Sequence, residues 1–410
     1  MSALASKEPL RPSGDFGNWL AGLMLGAAPT GFALLRAVAP ILKLGSTIVV
    51  TRYDDVIEVF GSDASFDTPY RENIEILTGG EPFFLGLREG PEYREALGAM
   101  RSVFKAEDLQ AIGNKAEALA DAIVQEASGE LEVVGDLVRK VTFDLYKDYI
   151  GIPDNEYGNV DVWSTRLFEF QFASSAKDKA LRAEVDAIAP AFRDHIDQAI
   201  ANRKSSSAEI DDVLGRCLAR QSSGDALFTD LFIRTNLLCM IVGGPPQVPM
   251  VVPHALEQLL RRPEALAAAK RAAVEDNDEL LWGYVQEAMR FDPLAPGLPR
   301  IALENRTLAK GTRRETLVPA GANLIIGFSS AMRDPRRIAA PAAFDPLRHT
   351  HEYIHFGHGL HECFGRFLNR ATLHRILKPL LKKETLQRAP GRRGRLKKRK
   401  IFADTLHVRF

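Results

Sequence analysis

Apolar residues recur at three- and four-residue intervals over much of the chain, so the pattern predicts helices before anything else. The periodicity runs from Ala106 to Arg203, interrupted at Gly129, at Gly151-Ile152-Pro153 and at Tyr157-Gly158. Phe228 to Arg262 reads as one long apolar helix stopped by Pro263, and Glu279 to Phe291 as a shorter one. Gly90-Pro91-Glu92 opens another, because proline suits a first helical turn. Leu368, Leu373, Ile376, Leu377 and Leu380 mark a helix that begins just after Gly365. Strand signals are short. The β-branched run Thr47 to Thr51 turns at Tyr53-Asp54-Asp55 into a short helix, and Thr405 to Phe410 reads as a terminal strand. Ser65 to Glu89, with Phe83, Phe84 and Leu85, shows no period and reads as irregular. The expected fold is a single, mainly α domain with a small β region.

Two stretches complicate that picture. Trp19 to Leu44 is mostly apolar, but Pro29, Arg36, Pro40 and Lys43 cut it into runs of roughly a dozen residues, where about 20 are needed to span a bilayer. It reads as a segment packed on or near the domain, with peripheral membrane contact beside a substrate entrance as the alternative. The chain thus divides into residues 1–45, an apolar N-terminal segment, and 46–410, the main domain. The second stretch is Gly243-Gly244-Pro245-Pro246-Gln247, in the middle of the long apolar helix. Two glycines and two prolines there should break it into halves, with Pro245 or Pro246 in the first turn of the second.

Lysine plus arginine and aspartate plus glutamate both number 53, so no global charge points to nucleic acid. Lys382 to Lys400 holds ten basic residues against one acid, Glu384, and reads as a solvated loop; docking of an acidic ferredoxin or of anionic lipid is the alternative. The three cysteines, Cys217, Cys239 and Cys363, are widely spaced, with no paired metal spacing and no recognisable secretory signal, which points to a reducing, cytoplasmic setting.

The candidate chemistry centres on Phe356 to Gly365, read as Phe-Gly-His-Gly-Leu-His-Glu-Cys-Phe-Gly. A cysteine binds iron as thiolate, so its surroundings must favour negative charge and let backbone N–H groups approach the sulfur. Gly357, Gly359 and Gly365 permit that approach, and the helix that follows turns its positive end toward Cys363. The stretch resembles the heme-binding loop of the cytochrome P-450 superfamily, the heme-thiolate monooxygenases. It matches Phe-x-x-Gly-x-His-x-Cys-x-Gly at every fixed position. The resemblance implies heme b with Cys363 as axial ligand, Phe356 packed on the sulfur side of the macrocycle, and His361 donating to a propionate. It extends from about Ser46 to the end of the chain. Glu287-Ala-Met-Arg290, Phe291-Asp-Pro, Arg300, Val318-Pro-Ala-Gly321, Ala331-Met-Arg333-Asp-Pro335 and Phe344-Asp-Pro-Leu-Arg348 follow the family's order. Glu287, Arg290 and Arg348 are then expected to form a buried charge triad, Arg300 to bind a propionate, and Leu294 to Leu298 to border the substrate pocket. Ser65 to Glu89 would cover that pocket. Phe168, Phe170 and Phe172 are expected in the core, or else in the pocket roof.

The sequence departs from the family at two places. Where a His or Trp and, four residues on, an Arg commonly bind a propionate, this chain has Tyr93 and Leu97. Tyr93 can donate one hydrogen bond, and Arg101, two turns beyond, is the candidate replacement cation. The stretch Gly243 to Gln247 stands where the family usually has Ala-Gly-x-Asp/Glu-Thr, whose acid and alcohol relay protons. Pro246 has no donor, and Gln247 donates and accepts without titrating. The expected function is oxidation of a lipophilic small molecule by dioxygen, with electrons from a ferredoxin-type partner and atypical proton delivery. A hydroperoxide-dependent peroxygenase or fatty-acid hydroperoxide isomerase, with Gln247 beside Gly243 and Gly244 orienting the peroxide, is the alternative. A non-enzymatic heme sensor or carrier is a third reading.

Overall fold

A computed structural model describes residues 4, 6–11, 15–154, 159–173 and 178–410, with the side chains of the first helix from residue 26 on. The expected interruption at Tyr157-Gly158 and the side chain of Trp19 lie outside the described residues. The helices are α1 (Asp15–Val38), α2 (Tyr53–Phe60), α3 (Arg71–Thr78), α4 (Pro91–Val103), α5 (Leu109–Glu126), α6 (Lys140–Ile150), α7 (Val160–Phe168), α8 (Lys179–Ser205), α9 (Val213–Ser222), α10 (Asp230–Gly243), α11 (Val248–Leu260), α12 (Pro263–Val274), α13 (Asp278–Phe291), α14 (Phe328–Ala331) and α15 (Arg366–Leu381). The strands are β1 (Ile41–Leu44), β2 (Thr47–Val50), β3 (Phe66–Asp67), β4 (Glu130–Glu132), β5 (Leu298–Ala302), β6 (Arg306–Leu308), β7 (Thr316–Val318), β8 (Asn323–Ile326), β9 (Gln387–Arg388), β10 (Lys397–Arg399), β11 (Phe402–Thr405) and β12 (His407–Arg409). The largest sheet among the described residues runs β1-β2-β8-β5-β3, in which β2 and β8 pair in parallel and the other neighbours antiparallel.

The long apolar helix breaks where the prolines require it. Pro245 and Pro246 cannot donate to the carbonyls one turn back, so regular bonding ends with Gly244 N–H on the Met240 carbonyl at 3.0 Å. A 3₁₀ turn over Pro245–Gln247 then leads into α11. Asp230–Leu260 is long and apolar enough to cross a membrane by length and composition, yet most of it is buried inside the domain, as a core helix is.

α15 packs along α5, and Gly113 sets how closely: a Cβ there would meet the Ala371 carbonyl oxygen at 2.7 Å. One apolar cluster gathers residues of α4, α7, α8 and α10, and a second those of α5, α6, α11, α13 and α15. Leu360 and Phe364 pack on the first, and Phe356 and Leu368 on the second. The Phe356–Gly365 loop therefore lies along the seam between the two.

The expected charge triad is present. Arg290 Nη2 donates to Glu287 Oε1 at 2.8 Å and Arg348 Nε to the same oxygen at 3.1 Å. Glu287 and Arg290 are both 0% exposed. The remaining guanidinium donors reach the carbonyls of Met332, Pro341 and Ala343 from Arg290, and Glu352 from Arg348.

Other expectations need correction. The border at residue 45 cuts through a hairpin: β1 pairs with β2 around Gly45, whose φ of 59° suits the turn, so residues 41–44 belong to the main sheet. Ser65 to Glu89 is partly regular, holding β3, α3 and a 3₁₀ turn at Phe84–Gly86. The expected terminal strand is present as β12, shortened to His407–Arg409, while Thr405 ends β11. The basic stretch 382–400 is no free loop. Arg388 pairs with Glu257 at 2.6 Å, Lys398 with Asp292 at 2.9 Å, Lys400 with Glu169 at 2.7 Å and Lys382 with Asp276 at 2.9 Å.

Candidate active site

The cysteine loop is shaped by its backbone. Cys363 N–H donates to the Phe356 carbonyl at 2.8 Å, closing the loop on itself. Gly359 has φ 76°, and a Cβ there would meet the Phe60 carbonyl oxygen at 2.5 Å, so this position accepts only glycine. Two contacts fix the stretch between. Leu360 N–H donates to Asp63 Oδ2 at 3.3 Å, and the Tyr93 hydroxyl donates to the Leu360 carbonyl at 2.8 Å. Phe356 lies stacked against Trp282 with ring centres 6.5 Å apart, and the edge of His355 meets it at 4.7 Å.

Cys363 precedes α15 by one turn, and Gly365 N–H donates to its sulfur. Burial outweighs that donor and pushes the thiol up to about 11. An uncomplexed thiolate is thus disfavoured here, and a cation bound at the sulfur would reverse the balance. A side chain at position 365 would stand 3.8 Å from the sulfur and cover it.

Arg300, on β5, is 4% exposed and has no ion pair among the described residues. Its Nη1 donates to the neighbouring Pro299 carbonyl at 2.9 Å, and its guanidinium lies over the Phe60 ring at 5.2 Å. Desolvation lowers its pKa. His361 comes within electrostatic reach: burial first, and then the Arg300 charge, lower its pKa. One ring nitrogen of His361 bonds toward the Leu85 backbone, while Nδ1 is buried without a partner. A buried cation without an ion pair calls for an anion, and the open imidazole nitrogen can donate to the same anion once it carries a proton. Cys363, Gly365, Arg300 and His361 therefore fit a metal-centred macrocycle with acidic edges.

The other expected site residues fall differently. Tyr93 is buried at the loop but spends its hydroxyl on Leu360. Arg101 is exposed and makes no hydrogen bond or ion pair among the described residues. Eight residues on from Tyr93 along α4, it lies within electrostatic reach of the Tyr93 hydroxyl. Gln247 is half-buried and its amide donates to the Gly243 carbonyl, the acceptor left open by the break. Phe168 and Phe170 are core residues, whereas Phe172 is 43% exposed and meets Tyr70 edge-on at 5.0 Å. Asp63, Tyr70 and Tyr146 are brought to the site by the fold without any local sequence signal. Asp63 holds the loop, Tyr70 lies beside Arg300, and Tyr146 faces the break at Gly244.

A half-buried cysteine with an N–H donor on its sulfur, set beside an open arginine and histidine, defines a heme-thiolate protein. The cytochrome P450 family profile matches residues 131–403, and the chain belongs to that family, whose cofactor is heme b and whose members are monooxygenases. Nocardicin C N-oxygenase of Nocardia uniformis subsp. tsuyamanensis is 25% identical over 370 residues, which cover 86% of each chain. A bifunctional dioxygenase (DOX)-epoxy alcohol synthase (EAS) of Fusarium oxysporum is 34% identical over 137 residues, 33% of this chain and 11% of that protein. Among solved structures, P450BioI bound to a fatty-acyl carrier protein superposes with a TM-score of 0.79 at 20% identity, covering 95% of this chain and 100% of that one; the likeness is one of fold.

Proposed function

We propose that this protein inserts one oxygen atom of dioxygen into a lipophilic small molecule, with Cys363 as the axial thiolate of heme b and electrons from a ferredoxin-type partner. The observation that carries the reading is Cys363 itself, half-buried beneath the Gly365 N–H on the seam where Arg300 and His361 are left open. Bound heme supplies the oxygen activation. The chain's residues do the rest. Arg300 and His361 hold the propionates, the triad around Glu287 fixes the loop's support, and the half-buried run Leu294 to Leu298 borders the substrate. Exposed Leu34, Val38 and Leu44 on α1 and β1 support a peripheral lipid contact of the N-terminal segment. The three free cysteines suit a cytoplasmic protein.

One observation favours a second reading, a hydroperoxide-driven reaction that needs no electron partner. Gly243 to Gln247 lacks the usual acid and alcohol, and two relatives, each matching 33% of the chain, carry epoxy alcohol synthase in their names. Turnover of a lipophilic substrate panel with NADH, ferredoxin reductase and ferredoxin, compared with the same panel plus peroxide or a fatty-acid hydroperoxide, separates the readings. Product from the electron-transfer system alone supports the first. Product from hydroperoxide alone overturns it in favour of the second, and none from either leaves a heme carrier.

A further inference from the structure

Monooxygenation consumes dioxygen, two electrons and two protons for each oxygen atom inserted and each water released. Protons must therefore reach the site, and the break in the central helix holds no obvious source. Pro246 has no donor, and Gln247, which spends one of its two amide N–H groups on Gly243, has no ionisable proton.

A hydroxyl comes instead from a different helix. α6 is set in place by a π-helical turn at Val133–Arg139, capped by Glu132, whose carboxylate accepts from Val134 N–H at 3.0 Å and Gly135 N–H at 2.5 Å. This placement brings Tyr146 against the break. A Cβ on Gly244 would meet its Cε1 at 3.2 Å and its hydroxyl oxygen at 3.7 Å. The phenol is also within electrostatic reach of the Cys363 sulfur. Its hydroxyl has no hydrogen-bond partner among the described residues.

Behind Tyr146 lies a cavity of about 320 Å³, which it lines together with Phe143, Ile241, Pro245, Arg139 and Asp161. Lys140 and Asp144, also on its wall, are exposed, so the cavity communicates with solvent. Among the described residues Asp161 Oδ1 is buried without a hydrogen-bond partner, and its other oxygen is 3.7 Å from Arg139 Nη1. The cavity thus holds a carboxylate with an open lone pair, the kind of group that binds water and exchanges protons.

We infer that Tyr146 is the side chain that donates a hydrogen bond at the helix break and passes protons to the site, drawing them from solvent through the cavity that holds Asp161. In each transfer the phenol O–H bond breaks as its proton leaves toward the site and re-forms with a proton from the cavity side, so the tyrosine ends unchanged. The inference rests on the dioxygen reading proposed above.

The test uses the ferrous, carbon monoxide-bound holoenzyme and its C–O stretch in the infrared, which falls when a donor bonds to the ligand. Tyr146→Phe keeps the ring against Gly244 and removes only the hydroxyl. The stretch should be sensitive to D₂O in the native protein and in Gln247→Leu. In Tyr146→Phe it should move to higher frequency and lose that sensitivity, with heme content unchanged. Product formed per NADH should fall on the order of 100-fold in Tyr146→Phe, and by less in Asp161→Asn. A native stretch insensitive to D₂O, which needs no variant to fold, overturns the inference, as does an unmoved stretch in Tyr146→Phe. The Soret band of the same samples reports thiolate ligation. Its absence would overturn the underlying reading, whereas an intact band with an unmoved stretch would overturn the role of Tyr146 alone.

Discussion

Arg290 and Arg300 are near neighbours in the chain and both are buried, at 0% and 4% exposure, yet their N–H groups meet different fates. Those of Arg290 are taken up by Glu287 and three carbonyls, whereas Arg300 reaches one adjacent carbonyl and an aromatic face. A buried charge with every donor satisfied holds the fold together. One left open is tolerable only if something else completes it, because desolvation without a partner costs several kcal/mol. The difference separates scaffold from site.

The largest expected effect lies on the scaffold side. Glu287→Ala strands Arg290 and Arg348 and should lower stability by about 3–5 kcal/mol, seen as a large fall in the thermal midpoint and in heme content of purified protein. An unchanged midpoint would erase the distinction. Next come His254 and His374, 2% and 5% exposed, whose ring nitrogens have no hydrogen-bond partner among the described residues; Asp292 and Asp278 stand 3.7 and 3.9 Å away, and burial outweighs their attraction and lowers both pKa values to about 4. Below the ordinary histidine value of about 6.5 the unfolded chain takes up protons that the folded one refuses. Stability should therefore be full above that value and fall as pH drops toward 4, by up to about 3 kcal/mol for each residue. Unfolding free energy measured from pH 8 to 4 should flatten in His374→Phe; an unaltered acid limb would count against it.

Arg300→Ala should act the other way from Glu287→Ala. It removes a costly open cation, so stability of the heme-free protein should be unchanged or higher, while heme retention weakens by roughly 10- to 100-fold, the worth of one charged hydrogen bond at about 1.5–3 kcal/mol. Heme transfer to apomyoglobin, timed beside apoprotein melting, distinguishes this from a general loss of fold. The smallest effect belongs to Gln247→Leu, which leaves the Gly243 carbonyl open and should cost about 1 kcal/mol without selectively slowing turnover. A rate loss at unchanged stability would return Gln247 to the chemistry.

What was legible in the sequence follows the same division. The Cys363 loop, Glu287 with its two arginines, and the proline break could be read because backbone geometry or a short spacing demands those residue types locally. Arg101 offered only a spacing, and the fold leaves it exposed, within electrostatic reach of Tyr93 and without a bond of its own among the described residues. The basic stretch looked like a free loop because its partners, Glu257, Asp292 and Glu169, are far away in the chain. Asp63, Tyr70 and Tyr146 carry no pattern at all, since only the folded chain brings their helices and turns to the cysteine loop. β1 was assigned to the wrong side of a border because a two-residue turn at Gly45 joins what composition separates.

The claim on which the account stands is that Cys363 is the iron's axial ligand. The direct measurement is the absorbance spectrum of the reduced protein with carbon monoxide, recorded for the native chain and for Cys363→Ala, with heme content measured on each. The native protein should show the red-shifted Soret band of thiolate ligation, and the variant should lose it whether or not heme is retained. The same red-shifted band in Cys363→Ala would contradict the assignment.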